Sequence, residues 1–145
     1  MGIRRIPSLS QCMIVKNEEK NIRRALSWGK DIVCEQIVVD TGSTDRTVEI
    51  AREMGAKVYF FSWIDDFAAA KNFAIDKATG EWIAFLDADE YVPEDQVKNI
   101  LPFLRSLKDT KYNAVATDWM QVDEQERILV GGTQSRVFKR LPGLR

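Results

Sequence analysis

Gln36-Ile37-Val38-Val39-Asp40-Thr41-Gly42-Ser43 decides the fold. Its apolar part is continuous rather than alternating, as in a parallel strand buried on both faces, and it stops at a polar, glycine-containing turn. The spacing beyond the turn predicts a helix with Ser43 or Thr44 as N-cap, Ile50, Ala51 and Met54 on one face, and Gly55 as breaker. Upstream, Leu9 to Val15 is a second β-capable apolar run. It ends at Lys16-Asn17, and Glu18 opens a helical pattern through Ile22, Ala25 and Leu26.

The same alternation continues downstream. Ala56 to Phe61 reads as a third strand. Asp66 caps a helix whose Phe67, Ala70, Lys71 and Ala74 share a face, and Gly80 closes it. Trp82 to Leu86 is a fourth strand, ending abruptly in Asp87-Ala88-Asp89-Glu90. With Pro93 as first helical residue, helical spacing runs to Leu107 through Val97, Ile100, Leu101 and Leu104. Tyr112 to Met120 and Arg127 to Val130 read as strands joined by an acidic turn, Gln121 to Glu126, and Ser135 to Lys139 is a further candidate strand. The order β-α-β-α-β-α-β predicts an α/β fold: a doubly wound, mainly parallel sheet with helices on both faces and right-handed crossovers.

The 145 residues have a one-domain length, and 45% hydrophobic with 30% charged residues is a globular balance. Lysine plus arginine (21) nearly cancels aspartate plus glutamate (22), so no basic field marks a nucleic-acid binder. There is no histidine, which excludes imidazole general bases, Ser–His and Cys–His pairs, and zinc sites that use His. No signal-peptide core and no apolar run of about 18 residues is present, so a cytoplasmic chain without a membrane segment is expected. Cys12 and Cys34 lie in or beside predicted strands and read as small core hydrophobes. Chemistry must then come from carboxylates, Lys, Arg, hydroxyls or a metal.

Ligands of such sheets bind beyond the carboxyl ends of the strands. Lys16-Asn17-Glu18, Asp40-Thr41-Gly42-Ser43 and Asp87-Ala88-Asp89-Glu90 all end strands and should meet on one rim. Like charges at 4 Å repel by about 4 kcal/mol at an effective dielectric near 20, so the rim calls for a cation, and oxygen ligands favour Mg²⁺ or Mn²⁺. With 12 Asp in the chain, about one Asp-x-Asp arises by chance. Its place directly after an apolar strand carries the signal. On an extended strand end, Asp87 and Asp89 would point to the same side and could share one metal, the alternative being a solvated acidic turn.

Together these segments resemble the N-terminal part of a family 2 glycosyltransferase of GT-A fold. Leu9 to Glu18 is similar to that family's opening strand and turn. Ile37-Val38-Val39-Asp40-Thr41-Gly42-Ser43-Thr44-Asp45-Arg46-Thr47 is similar to its "VVDxGSxDxT" segment, Phe67 to Ala74 to its "AxARNxA" helix, and Trp82 to Glu90 to its metal-binding strand end. The forms Met-Ile-Val-Lys-Asn-Glu, Asp-Thr-Gly-Ser-Thr-Asp and Trp-Ile-Asp-Asp-Phe are similar to a bacterial subgroup that includes prophage-encoded peptide S-glycosyltransferases and enzymes with attached helical repeats.

The resemblance implies an inverting transferase acting on a nucleotide-sugar, with UDP as the expected nucleotide and a peptide, glycan or lipid acceptor left open. It implies that Asp40 meets the uracil edge, with Asn17 and Glu18 beside base and ribose and Gly42 giving backbone room. Lys71, where the family usually has Arg, would lie toward the diphosphate, its alternative being a solvated helix lysine. Asp87 and Asp89 would hold Mn²⁺ or Mg²⁺, with Ala88 on the nucleotide side. Ser43, Thr44 and Asp45 suit helix capping better than ligand binding. A carboxylate base is also required, and Asp118 is the one late carboxylate within a predicted strand; Asp123, Glu124 and Glu126 sit in the acidic turn. Residues 1–145 are therefore expected to be one nucleotide-sugar-binding domain, the donor part of a longer enzyme, which need not be active alone.

Two other classes stay in view. A non-catalytic nucleotide-sugar-binding module would keep the same pocket. A nicotinamide-dependent oxidoreductase would need a glycine-rich turn after the first strand, where Val15-Lys16-Asn17-Glu18-Glu19 has none.

Overall fold

The computed structural model describes residues 6–62, 65–108, 110–122, 125 and 128–140, with 116–122 and 128–135 by backbone alone. The elements run β1 (Leu9–Val15), α1 (Ile22–Ser27), β2 (Glu35–Asp40), α2 (Thr47–Glu53), β3 (Lys57–Phe60), α3 (Phe67–Lys77), β4 (Trp82–Phe85), α4 (Glu94–Val97), α5 (Ile100–Ser106), β5 (Ala114–Val122) and β6 (Ile128–Lys139). The sheet order is β3-β2-β1-β4-β6-β5. The first four strands are mutually parallel, while β6 lies antiparallel to both β4 and β5. This is the expected α/β architecture, a mostly parallel central sheet flanked by helices.

Register explains the continuous apolar runs. Met13 pairs with Val38 and Cys12 with Ile37, and successive side chains leave opposite faces. On one face Met13, Val15 and Val38 pack with Ile22, Ala25 and Leu26 of α1 and with Ile50 and Ala51 of α2. On the other, Cys12, Ile37, Val39, Ile83 and Phe85 pack with Ala74 and Ile75 of α3. Leu9, Trp82 and Ala84 meet Leu104 of α5 in a third cluster. Every residue of β2 is buried, so its central Ile37, Val38 and Val39 are apolar on both faces and its polar residues, Glu35, Gln36 and Asp40, stand toward the strand ends.

Buried polar residues on these strands act as ties. Gln36 Nε2 donates to Gln11 Oε1 at 2.8 Å and to Leu26 O at 2.6 Å, and Gln11 Nε2 donates to Ala25 O at 2.7 Å, fastening α1 to the sheet. At the amino end of β2, Glu35 accepts from Ser10 Oγ (2.6 Å), Thr79 N (2.6 Å), Thr79 Oγ1 (2.9 Å) and Lys57 Nζ (2.9 Å). Burial pushes this carboxyl up, but the hydrogen bonds from Ser10, Thr79 and Lys57 outweigh it and hold its pKa at about 2. Gly80 is needed beside this cluster: a Cβ there would stand 2.6 Å from Ser10 Oγ and 2.8 Å from Ser10 N.

Several expectations are corrected. Helix α2 starts at Thr47, with Ser43 and Thr44 lying in the preceding loop rather than at its N-cap. Asp66 does cap α3, accepting from Ala69 N, but Phe67 is 51% exposed and off the apolar face. The helix expected from Pro93 to Leu107 is two, broken at Lys98-Asn99. The two late strand candidates are one strand, β6. Cys12 is buried, its thiol pushed up to about 12 by burial and then by the Glu35 charge, whereas Cys34 is exposed and no core residue. Asp87 to Glu90 form a turn closed by Glu90 N donating to Asp87 O at 3.0 Å, not an extended strand end.

Candidate functional site

β1 lies between β2 and β4, so chain order reverses around it and the carboxyl ends of these three parallel strands form the crevice of an open α/β sheet. Asp40, the last residue of β2, is 3% exposed. Its Oδ2 accepts from Gly42 N at 3.1 Å and Ser43 N at 3.0 Å, while Oδ1 is buried without a hydrogen-bond partner among the described residues. Gly42 turns the chain back over the carboxylate at φ 123°, a conformation an L side chain would strain.

The β1 loop is bound to the β2 loop. Asn17, in the left-handed region at φ 54°, donates its N–H to Ser43 Oγ at 2.9 Å and accepts Thr44 N–H on Oδ1 at 2.8 Å. Glu18 N donates to Thr47 Oγ1 at 2.8 Å, and Glu18 Oε2 accepts from Asn21 Nδ2 at 3.0 Å. Asp45 accepts Thr47 N–H at 2.9 Å and so serves the open end of α2 from one residue before its N-cap. Ser43 and Thr44 therefore join two rim loops instead of capping a helix.

At the end of β4, carboxylate oxygens of Asp87, Asp89 and Glu90 all lie within 4.8 Å of one another. Ala88 between them is 2% exposed and packs with Met13 and Val15, which pins the turn to the core under β1. Glu90 Oε1 accepts Asp87 N–H at 2.7 Å, and Glu90 Oε2 accepts Arg136 Nη2 at 2.5 Å. Partial desolvation raises the Asp87 carboxyl; Arg136 opposes that, Asp89 adds to it, and Lys71 opposes it. Desolvation likewise raises Glu90 against the bond from Asp87 N and the charge of Arg136. Lys71 is no freely solvated lysine: its Nζ stands 5.2 Å from the Phe85 ring centroid and 5.6 Å from that of Phe138. Three carboxylates whose oxygens lie within 4.8 Å of one another form an all-oxygen donor set that fits a hard divalent cation of the Mg²⁺ or Mn²⁺ type.

The described structure thus ties Asn17, Gly42, Ser43 and Asp40 into one loop assembly and gathers Asp87 and Asp89 with Glu90 into another. Glu90 is expected from the sequence as one of the rim carboxylates but not as a partner of the Asp87–Asp89 pair, which it joins through the tightness of the turn. Arg136 is not singled out by the sequence and arrives on β6, whose register sets Val137 against Ala84. No spacing relates residues 46 apart, so only the pairing of β6 could have found it. Asp118 is on β5 opposite Thr133. Its side chain, with Asp123, Glu124, Glu126, Trp63 and Ile64, lies outside the described residues.

A Rossmann-like sheet with an acidic cluster at its crevice defines a GT-A-type glycosyltransferase domain. The profile of the family described as "Glycosyl transferase family 2" matches residues 10–142, and the chain belongs to that family. It is 42% identical over 137 residues to a TPR repeat-containing protein of Synechococcus elongatus, covering 94% of this chain and 33% of that protein. It is 33% identical over 117 residues to the SPbeta prophage-derived glycosyltransferase SunS of Bacillus subtilis, covering 79% of this chain and 28% of SunS. Among solved structures it is similar to the mannosyltransferase PcManGT of Pyrobaculum calidifontis in complex with GDP-Man and Mn²⁺, at TM-score 0.61 and 26% identity over 76% of this chain and 35% of that one. The chain spans about a third of the length of these relatives. No helix among the described residues is long and apolar enough to cross a membrane.

Proposed function

We propose that the chain is the donor-binding domain of an inverting, metal-dependent glycosyltransferase that takes a UDP-sugar, and that it forms part of a longer enzyme. The observation that carries the reading is Asp40 Oδ1, a buried acceptor without a partner at the crevice, on a carboxylate whose other oxygen is fixed by two backbone N–H groups. Such an oxygen suits the imide N–H of uracil, because leaving it unpaired costs about 1–3 kcal/mol. In this reading Asn17 and Glu18 border the base and ribose, and Gly42 lets the backbone approach. Lys71 attracts the diphosphate, and Ala88, its methyl buried, offers only backbone. Asp87 and Asp89 would hold Mn²⁺ or Mg²⁺, which when bound offsets charge on the departing nucleoside diphosphate. Asp118 is the candidate base by its place on β5, and the acceptor is left unassigned. Two free cysteines accord with a reducing, cytoplasmic setting. The likeness to SunS supports the bacterial subgroup suggested by the motifs, as far as its name as a glycosyltransferase goes.

The test is calorimetric titration of UDP, with GDP as comparison, with and without Mn²⁺, on wild type and Asp89→Ala. Tighter UDP binding with metal, of which Asp89→Ala loses only the metal-dependent part, is expected. Binding of neither nucleotide would overturn the reading, and preference for GDP would move the donor to the guanine class. Binding without sugar transfer in the longer protein would favour a non-catalytic module.

A further inference from the structure

Both oxygens of Glu90 are already engaged. Oε1 holds the Asp87 N–H at 2.7 Å, and Oε2 holds Arg136 Nη2 at 2.5 Å, in a pair whose side chains are only 25% and 22% exposed. Asp87 and Asp89 are exposed residues on the same turn. Arg136 Nε is buried without a partner among the described residues, so the guanidinium is held at the cluster chiefly by Glu90. We propose that Arg136 is an internal counter-cation that keeps Glu90 out of the divalent-cation site, making Glu90 a positioning residue for the Asp87–Asp89 turn instead of a third ligand. This rests on the reading of Asp87 and Asp89 as the metal pair. A divalent ion seeking Glu90 must displace a half-shielded charge-assisted hydrogen bond, whereas the two aspartates require no such exchange. Arg136 thereby limits cation affinity and keeps the turn in one shape while the site is filled or empty.

Mn²⁺ binding to the full chain at saturating UDP, followed by the free-Mn²⁺ electron paramagnetic resonance signal, tests this with folding checked by circular dichroism. Arg136→Met should raise Mn²⁺ affinity by about fivefold or more, because Glu90 is freed to ligate, and by less than about twofold when combined with Glu90→Gln. Glu90→Gln alone keeps an acceptor for Asp87 N and should change affinity by less than about threefold, whereas Asp89→Asn should abolish binding. An equal gain from Arg136→Met in both backgrounds would mean simple charge removal and overturn the proposal. So would a loss on Glu90→Gln as large as that on Asp89→Asn, which would make Glu90 a ligand. Arg136→Lys covers the case in which Met unfolds β6: it should give a smaller gain, again cancelled by Glu90→Gln, and no gain counts against the proposal. Unchanged Mn²⁺ affinity in Asp89→Asn would instead defeat the metal assignment itself.

Discussion

Asn17 Oδ1 accepts the backbone N–H of Thr44 at 2.8 Å across the crevice rim, while Asn17 itself sits in the left-handed backbone region. Side chain and backbone conformation thus serve one end, the alignment of the β1 loop with the β2 loop that carries Asp40. Asn tolerates this conformation better than most residues, since other L residues pay roughly 1–2 kcal/mol there.

Two substitutions separate the contributions. Asn17→Ala loses the hydrogen bond and adds strain, and should lower unfolding free energy by about 1–2 kcal/mol; Asn17→Gly loses only the bond and should be about 1 kcal/mol more stable than Asn17→Ala. Urea denaturation measures both. UDP affinity should fall in both, because both release Thr44; unchanged affinity in both would remove Asn17 from the positioning of the nucleotide loop.

Asp40→Asn tests the buried oxygen directly. The amide must aim its oxygen at Gly42 N and Ser43 N, which turns its NH₂ toward the position of Oδ1. A donor would then face the imide donor of uracil. The expected outcome is a loss of UDP affinity of about 10- to 100-fold with Mn²⁺ binding at Asp87 and Asp89 intact, read by calorimetry and by Mn²⁺ titration. Equal losses of both would point to a collapsed rim.

What could be read from the sequence followed the strength of local constraint. β1 and β2 are buried on both faces, so Cys12 to Val15 and Ile37 to Val39 are apolar throughout, the polar Ser10, Gln11 and Gln36 are tolerated because each is hydrogen-bonded, and the strand ends were visible. The turn at Asp87 was legible as an acidic strand end, but its shape depends on Glu90 reaching back to the Asp87 N–H, which residue spacing does not encode. Arg136 was invisible for a similar reason, since its place is set by the antiparallel register of β6 with β4. The break at Lys98-Asn99 escaped because Val97, Ile100, Leu101 and Leu104 keep one helical period across it. Ser43 and Thr44 looked like caps because the same hydroxyl and backbone chemistry serves a helix end or a neighbouring loop equally well.

Glu35 predicts an acid-stability profile. Its folded pKa of about 2 lies below the ordinary 4.5, so its contribution is fully present above about pH 4.5 and is lost as pH falls toward 2. Its side chain is 3% exposed, so solvent screening is slight, and the full contribution is roughly 3 kcal/mol. Glu35→Gln should lower stability at pH 7 and flatten the decline between about pH 4.5 and 2 relative to wild type, as measured by denaturation midpoints across that range. Lys57→Met should cost much less, because Lys57 is 55% exposed and its pairing is screened. A wild-type decline that persists unchanged in Glu35→Gln would assign acid sensitivity to other carboxylates.

Lys71 should act with opposite sign on the two ligands. Its ammonium lies over the Phe85 and Phe138 rings and lowers the Asp87 carboxyl through charge, so it favours an anion and disfavours a cation at the end of β4. Lys71→Met keeps the apolar stem against both rings, and stability should change by less than about 1 kcal/mol. Without the positive charge, affinity for Mn²⁺ alone should rise by about two- to fivefold, while affinity for UDP at saturating Mn²⁺ should fall by a similar factor. Lys71→Arg should restore the wild-type signs, since it returns the charge with a broader donor fork. Titrations of Mn²⁺ alone and of UDP with Mn²⁺ distinguish the cases. A Lys71→Met variant that moves both affinities in the same direction would show that Lys71 shapes the turn through packing, and would remove it from the diphosphate site.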